Sequence, residues 1–105
     1  MSFNTDQAPV VDTYETFEDT SFTSGESPVT LDANAALGRN ATKFFVFNTG
    51  AGSFTVATNS TSGGTFGDEH TVASGEVFPP LNINMSVDSI RITHVSDSGY
   101  KVLVI

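Results

Sequence analysis

Few residues in this chain are equipped for chemistry. His70 and His94 are the only histidines and cysteine is absent, so acid–base, thiolate and metal chemistry all have slender means. Asp68-Glu69-His70 is the densest donor cluster, yet consecutive strand residues point to alternate faces and cannot all reach one ion. His94 falls in phase with Ile90 and Ile92, which predicts a partly buried, hydrogen-bonded histidine. Asp97-Ser98 lacks the rest of an EF-hand calcium loop. Ser60 to Gly64 lacks the Gly-Lys-Ser/Thr ending of a phosphate loop, and no Gly-x-Ser-x-Gly elbow exists. Asn40, Asn59 and Asn84 open glycosylation-type triplets, as expected by chance in an Asn/Ser/Thr-rich chain. The sequence therefore predicts no catalytic residue, no metal and no cofactor, and a protein that is not an enzyme.

What must position these residues is a chain of two unlike parts. The first 38 residues hold seven acids and no Lys or Arg. Within them Val10, Val11, Tyr14, Phe17 and Phe22 punctuate a Thr/Ser/Asp/Glu background. The spacing of Val10, Val11, Tyr14 and Phe17 fits one helical face, but Thr13, Thr16 and Thr20 disfavour a lone helix. Residues 1–26 are read as an extended acidic attachment arm, with at most one short strand, and Ser24-Gly25-Glu26-Ser27-Pro28 as the boundary. Glu15, Glu18 and Asp19 on such an arm could hold no fixed carboxylate separation for glycoside hydrolysis.

Residues 27–105 read as a β domain. Val29 and Leu31 mark a strand, and the stretch from Asp32 to Asn40 a loop or one helical turn closed by Gly38. Thr42–Asn48 and Ser53–Thr58 are strands that a turn through Gly50 and Gly52 would join as a hairpin. Short strands follow near His70–Ala73 and Glu76–Phe78, the second stopped by Pro79-Pro80. Leu81, Ile83, Met85 and Val87 alternate with polar residues; the phase then slips to Ile90 and Ile92, so a break belongs at Asp88-Ser89. Ser96–Gly99 reads as a last hairpin loop before the terminal strand Gly99–Ile105. The expectation is an all-β fold: a small antiparallel β-sandwich or barrel, jelly-roll-like, with an extended N-terminal arm.

Composition narrows the partners. The formal net charge is −8, with Arg39, Lys43, Arg91 and Lys101 the only bases, too few to neutralise nucleic-acid phosphates or an anionic membrane. No long apolar run or signal-peptide pattern is present, which points to synthesis in a cytoplasm. Two segments break the alternation expected of a half-wet sheet. Phe44, Phe45, Val46 and Phe47 load both strand faces, and so do Tyr100, Val102, Leu103, Val104 and Ile105. One face of each can reach a core; the other, carrying Phe45, Phe47, Leu103 and Ile105, needs a cover. The arm folding back with Tyr14, Phe17 and Phe22 is one cover, and a neighbouring copy or larger scaffold is another.

This organisation resembles the auxiliary virion proteins of tailed bacteriophages, particularly the capsid decoration or cement proteins. The stretches that carry the likeness are Lys43-Phe44-Phe45-Val46-Phe47-Asn48-Thr49-Gly50, Val87-Asp88-Ser89-Ile90-Arg91-Ile92-Thr93 and Tyr100-Lys101-Val102-Leu103-Val104-Ile105. The resemblance implies a non-catalytic β domain on the capsid exterior, a homo-oligomer with a trimer favoured, and an arm laid across major capsid subunits. By it Tyr14, Phe17 and Phe22 become anchors, and Glu15, Glu18 and Asp19 meet basic capsid residues. The rival expectations are a carbohydrate- or receptor-binding module of a spike or tail, using Phe66, Phe78 and Tyr100, and a tail or adaptor component.

Overall fold

The structure, a computed structural model, describes residues 13–105. They form eight strands: β1 (Glu15–Phe22), β2 (Val29–Asp32), β3 (Phe44–Asn48), β4 (Phe54–Asn59), β5 (His70–Val72), β6 (Val77–Phe78), β7 (Ser89–His94) and β8 (Ser98–Val104). One short helix, α1 (Ala33–Leu37), and a 3-10 turn at Ser24–Glu26 complete the regular structure. The strands build two four-stranded antiparallel sheets, ordered β1-β8-β3-β6 and β2-β7-β4-β5. Successive strands mostly alternate between the sheets, and that order is a jelly roll, as expected from the sequence. The core lies between the sheets, where Phe22, Phe44, Phe54, Ile90, Ile92 and Val102 are fully or almost fully buried.

Local chemistry explains several elements. The Asp32 carboxylate accepts the Ala35 amide at 2.9 Å and opens α1. Gly38, with φ 79°, closes it in the left-handed conformation. The expected break at Asp88-Ser89 is present, since β7 begins at Ser89 after an isolated bridge between Ala41 and Val87.

Four expectations are corrected. First, the arm does not extend to residue 26: residues 15–22 are β1, paired along β8 from Glu15 opposite Val104 to Phe22 opposite Ser98. Its alternation is masked in the sequence because the strand forms a sheet edge, with only Phe17 and Phe22 turned to the core. Second, β3 and β4 are not a hairpin but belong to opposite sheets. Asn48 at the end of β3 binds the chain on both sides of the sandwich, and Gly50 lets the crossing pass Ser98-Gly99. A Cβ at Gly50 would lie 2.6 Å from the Gly99 amide nitrogen. Third, the Ser96–Gly99 loop likewise crosses between sheets, from β7 to β8. Fourth, residues 81–86 form no strand. Proline cannot donate to a ladder, and after Pro79-Pro80 the chain leaves the sheet edge. It returns only where the Met85 amide donates to the Thr42 carbonyl at 2.7 Å.

Candidate docking surface

In an antiparallel ladder, residues directly opposite one another share a face. On the first sheet the outward rows are therefore Thr16–Leu103–Phe45 and Glu18–Lys101–Phe47–Val77. Tyr14 and Ile105 continue the same parity at one end. Phe45, Leu103 and Ile105 are half-buried, whereas Phe47 is 41% and Tyr14 62% exposed. The inward rows are Glu15–Val104–Phe44 and Phe17–Val102–Val46–Phe78, and all of these but the exposed Glu15 belong to or pack against the core. Among the described residues, the terminal and Phe-rich segments thus keep apolar surface on the outer face, most exposed at Phe47.

The second sheet treats its outer face differently. Its outward rows are Thr93–Thr55–Thr71 and Thr30–Arg91–Ala57, largely polar. The loop after β4 also folds over it. Glu69 accepts from Arg91 at 2.9 Å and from the Thr55 hydroxyl at 2.8 Å. The Arg91 guanidinium lies 4.5 Å from the centre of the Phe66 ring. One sheet is therefore threonine-rich and covered by its own loop, while the other is apolar and uncovered among the described residues. That asymmetry marks the first sheet's outer face as the candidate surface.

The charges follow the same division. Lys101 stands within the apolar face, and Lys43 shares the parity of Phe45 and Phe47. Among the described residues neither lysine enters an ion pair, whereas Arg91 pairs with Glu69. Two of the four bases of this chain of net charge −8 thus belong to the apolar face.

The residues expected to bind a partner separate into groups. Phe22 is fully buried and packs edge-on against Phe54, Tyr100 and His94, with ring centres 5.5 to 6.4 Å apart. It anchors the core and is not available to another molecule; its place at the end of a paired strand, opposite Ser98, explains why. Phe17 is half-buried against the same core. Asp19 faces inward beside Tyr100, and its carboxylate accepts the Ser21 amide at 2.9 Å. Tyr14 and Glu18 stand on the outer face with Phe45, Phe47, Leu103 and Ile105, and Glu15 lies exposed at the edge. Val10 and Val11 lie outside the described residues. Sequence reasoning missed Val77 and the exposed trio Leu81, Ile83 and Met85. The proline pair before Leu81 was the signal that its alternation had no ladder to join.

Both histidines are engaged with neighbours. His94 Nε2 lies 2.7 Å from the Asp97 carboxylate, as its phase predicted. His70 stacks on Phe78 at 4.6 Å. No group of three or more metal-ligating side chains occurs among the described residues. Burial raises the Tyr100 phenol above its ordinary value, and the Asp19 and Glu26 carboxylates add to the effect. The aromatic groups named for a sugar platform are occupied within the protein: Phe66 by Arg91, Phe78 by His70, and Tyr100 by burial. No helix among the described residues is long and apolar enough to cross a membrane.

No protein-family model matches the chain, and no curated protein matches it. Among solved structures, the crystal structure of PirA is similar, with a TM-score of 0.42 and 15% sequence identity over 87% of this chain and 82% of that one.

Proposed function

We propose that the chain is a non-catalytic structural protein of a virion, which decorates and stabilises a phage capsid as a homo-oligomer. The observation that carries this reading is the uncovered apolar face built by Phe45, Phe47, Leu103, Ile105, Tyr14 and Val77, set against the self-covered second sheet. Covering the part still wet gains roughly 1 kcal/mol per large side chain. A second copy is the occupant the charges favour. Glu18 and Lys101 are cross-strand neighbours within the patch, so a copy presents each sign with its opposite. The acidic remainder of the surface repels. A trimer is one closed arrangement of such a contact. The exposed Glu15 at the edge of β1 then faces basic groups on the capsid. Repetition over a symmetric shell turns weak contacts into firm attachment.

The test is co-sedimentation with phage capsids stripped of auxiliary proteins. The expected result is saturable binding at a fixed copy number per shell and a shell that resists heating better. Phe47→Asp, which removes a ring more than half sheltered in β3 and is expected to cost the fold about 1–2 kcal/mol while leaving it folded, is expected to abolish both effects. Binding by the variant equal to wild type would refute the role of this face.

A further inference from the structure

The opposite flank of the sandwich holds a second feature, independent of the outer face. There the edge strands β5 and β6 are only three and two residues long. β6 covers β3 at Val46 and Phe47, and β5 covers β4 from Phe54 to Val56. Beyond them, β3 has no strand neighbour on this edge at Phe44, and at Thr58 β4 is met by the following loop alone, whose Gly67 amide donates to the Thr58 carbonyl at 2.9 Å. The loop of residues 79–84 swings off the edge between Phe78 and the Met85–Thr42 hydrogen bond and leaves a gap beneath it.

A cavity of about 250 Å³ opens at that gap. Its walls are Phe44, Val56, Thr58, Phe78 and Met85, and Asp68 and His70 stand at its mouth. The floor is the core itself, since Phe44 and Val56 are almost fully buried. Leu81, at 72% exposure, and Ile83 extend the apolar surface past Met85 along the lip. The volume falls short of the roughly 300–1,000 Å³ of sites for drug-sized ligands. It suits a single large apolar side chain.

The rim fixes the charge of what enters. Asp68, which lines the cavity, is exposed and has no hydrogen-bond or ion-pair partner among the described residues. The nearby Arg91 is already neutralised by Glu69. Lys43, although next to Phe44 in sequence, has the parity of the outer face. Carboxylate is therefore left in excess around an apolar socket.

We infer that this cavity is an anchor socket for a partner protein: it receives one phenylalanine- or leucine-sized side chain carried on an extended, basic segment. The segment lies along Leu81–Met85, with a Lys or Arg residue against Asp68. Extended peptides held by one buried apolar anchor and flanking charges are a common recognition mode.

The probe is the peptide Lys-Thr-Phe-Thr-Lys, titrated into the full ¹⁵N- and methyl-labelled protein and followed by NMR. Saturable shifts are expected at Val56, Thr58, His70, Phe78 and Met85, with none on the outer row Phe45, Phe47 and Leu103. Replacing the peptide's Phe by Ala is expected to erase them, and Glu in place of Lys to weaken binding at low salt. Thr58→Phe, which fills the socket from inside, is expected to abolish binding. Should that variant fail to fold, Asp68→Lys at an exposed position is expected to weaken binding roughly fivefold with an unchanged spectrum elsewhere. Absence of shifts at the cavity, equal binding of the Ala peptide, or equal affinity of Asp68→Lys would overturn the inference.

Discussion

Phe22→Ala is expected to destabilise the protein by about 3–5 kcal/mol, the range found when a buried phenylalanine is cut to alanine. The ring is wholly buried between the sheets, among Phe54, Tyr100 and His94. Its loss leaves a cavity that paired strands cannot easily close. Net stabilities of domains lie near 5–15 kcal/mol, so the fall is a large share of the total and is readable as a lower midpoint in urea. The same reasoning governs truncation. Removing residues 2–22 takes away β1, exposes the length of β8 and deletes Phe22, and is expected to yield an unfolded or aggregating product. A truncation ending at Asp12 keeps every strand of the described residues. A cooperative native-like transition in the longer truncation would show that β1 is dispensable.

The second large effect is expected at Asn48, which is buried where the chain crosses between sheets. Its amide nitrogen donates to the Gly52 and Val72 carbonyls, both at 2.9 Å. Its amide oxygen accepts the Gly50 amide at 3.0 Å and the Ser98 hydroxyl at 2.6 Å. One side chain therefore satisfies the loop between β3 and β4 and a strand of each sheet. Asn48→Ala leaves several of these buried groups without partners, each costing about 1–3 kcal/mol, and a combined loss of about 3–4 kcal/mol is expected. Asn48→Asp is expected to be no better, because a carboxylate presents acceptors to the two carbonyls. Chemical denaturation of both variants checks this. A loss under about 1 kcal/mol, typical of surface changes, would mean that water replaces the amide.

Much of the architecture was legible in the sequence because strand alternation and turn residues are local signals. β2, β3, β4, β7 and β8 were all marked by apolar residues two apart, and the close of α1 by Gly38. Pairing was not legible. The turns through Gly50 and Ser96–Gly99 look like hairpin loops, yet each crosses the sandwich, because the partner of a strand is set by long-range packing around Asn48 and Ser98. β1 was hidden by its edge position, where acids at Glu15, Glu18 and Asp19 leave only Phe17 and Phe22 to speak for a core. The surface rows at Phe45, Phe47, Leu103 and Ile105 were readable because both faces of two strands were apolar, a pattern a single buried face does not explain. The socket at Phe44 and Phe78 was not readable, since it arises from strands ending early on both sheets.

The absence of cysteine allows the central claim to be tested with one introduced thiol. Thr16→Cys places it on the outer face of the first sheet beside Leu103, and Thr30→Cys places it beside Arg91 on the second. Maleimide labelling is followed while each protein is concentrated from dilute solution. If copies meet through the first sheet, labelling at position 16 slows as concentration rises while position 30 stays fast. Equal, concentration-independent rates at the two positions would contradict association through that face.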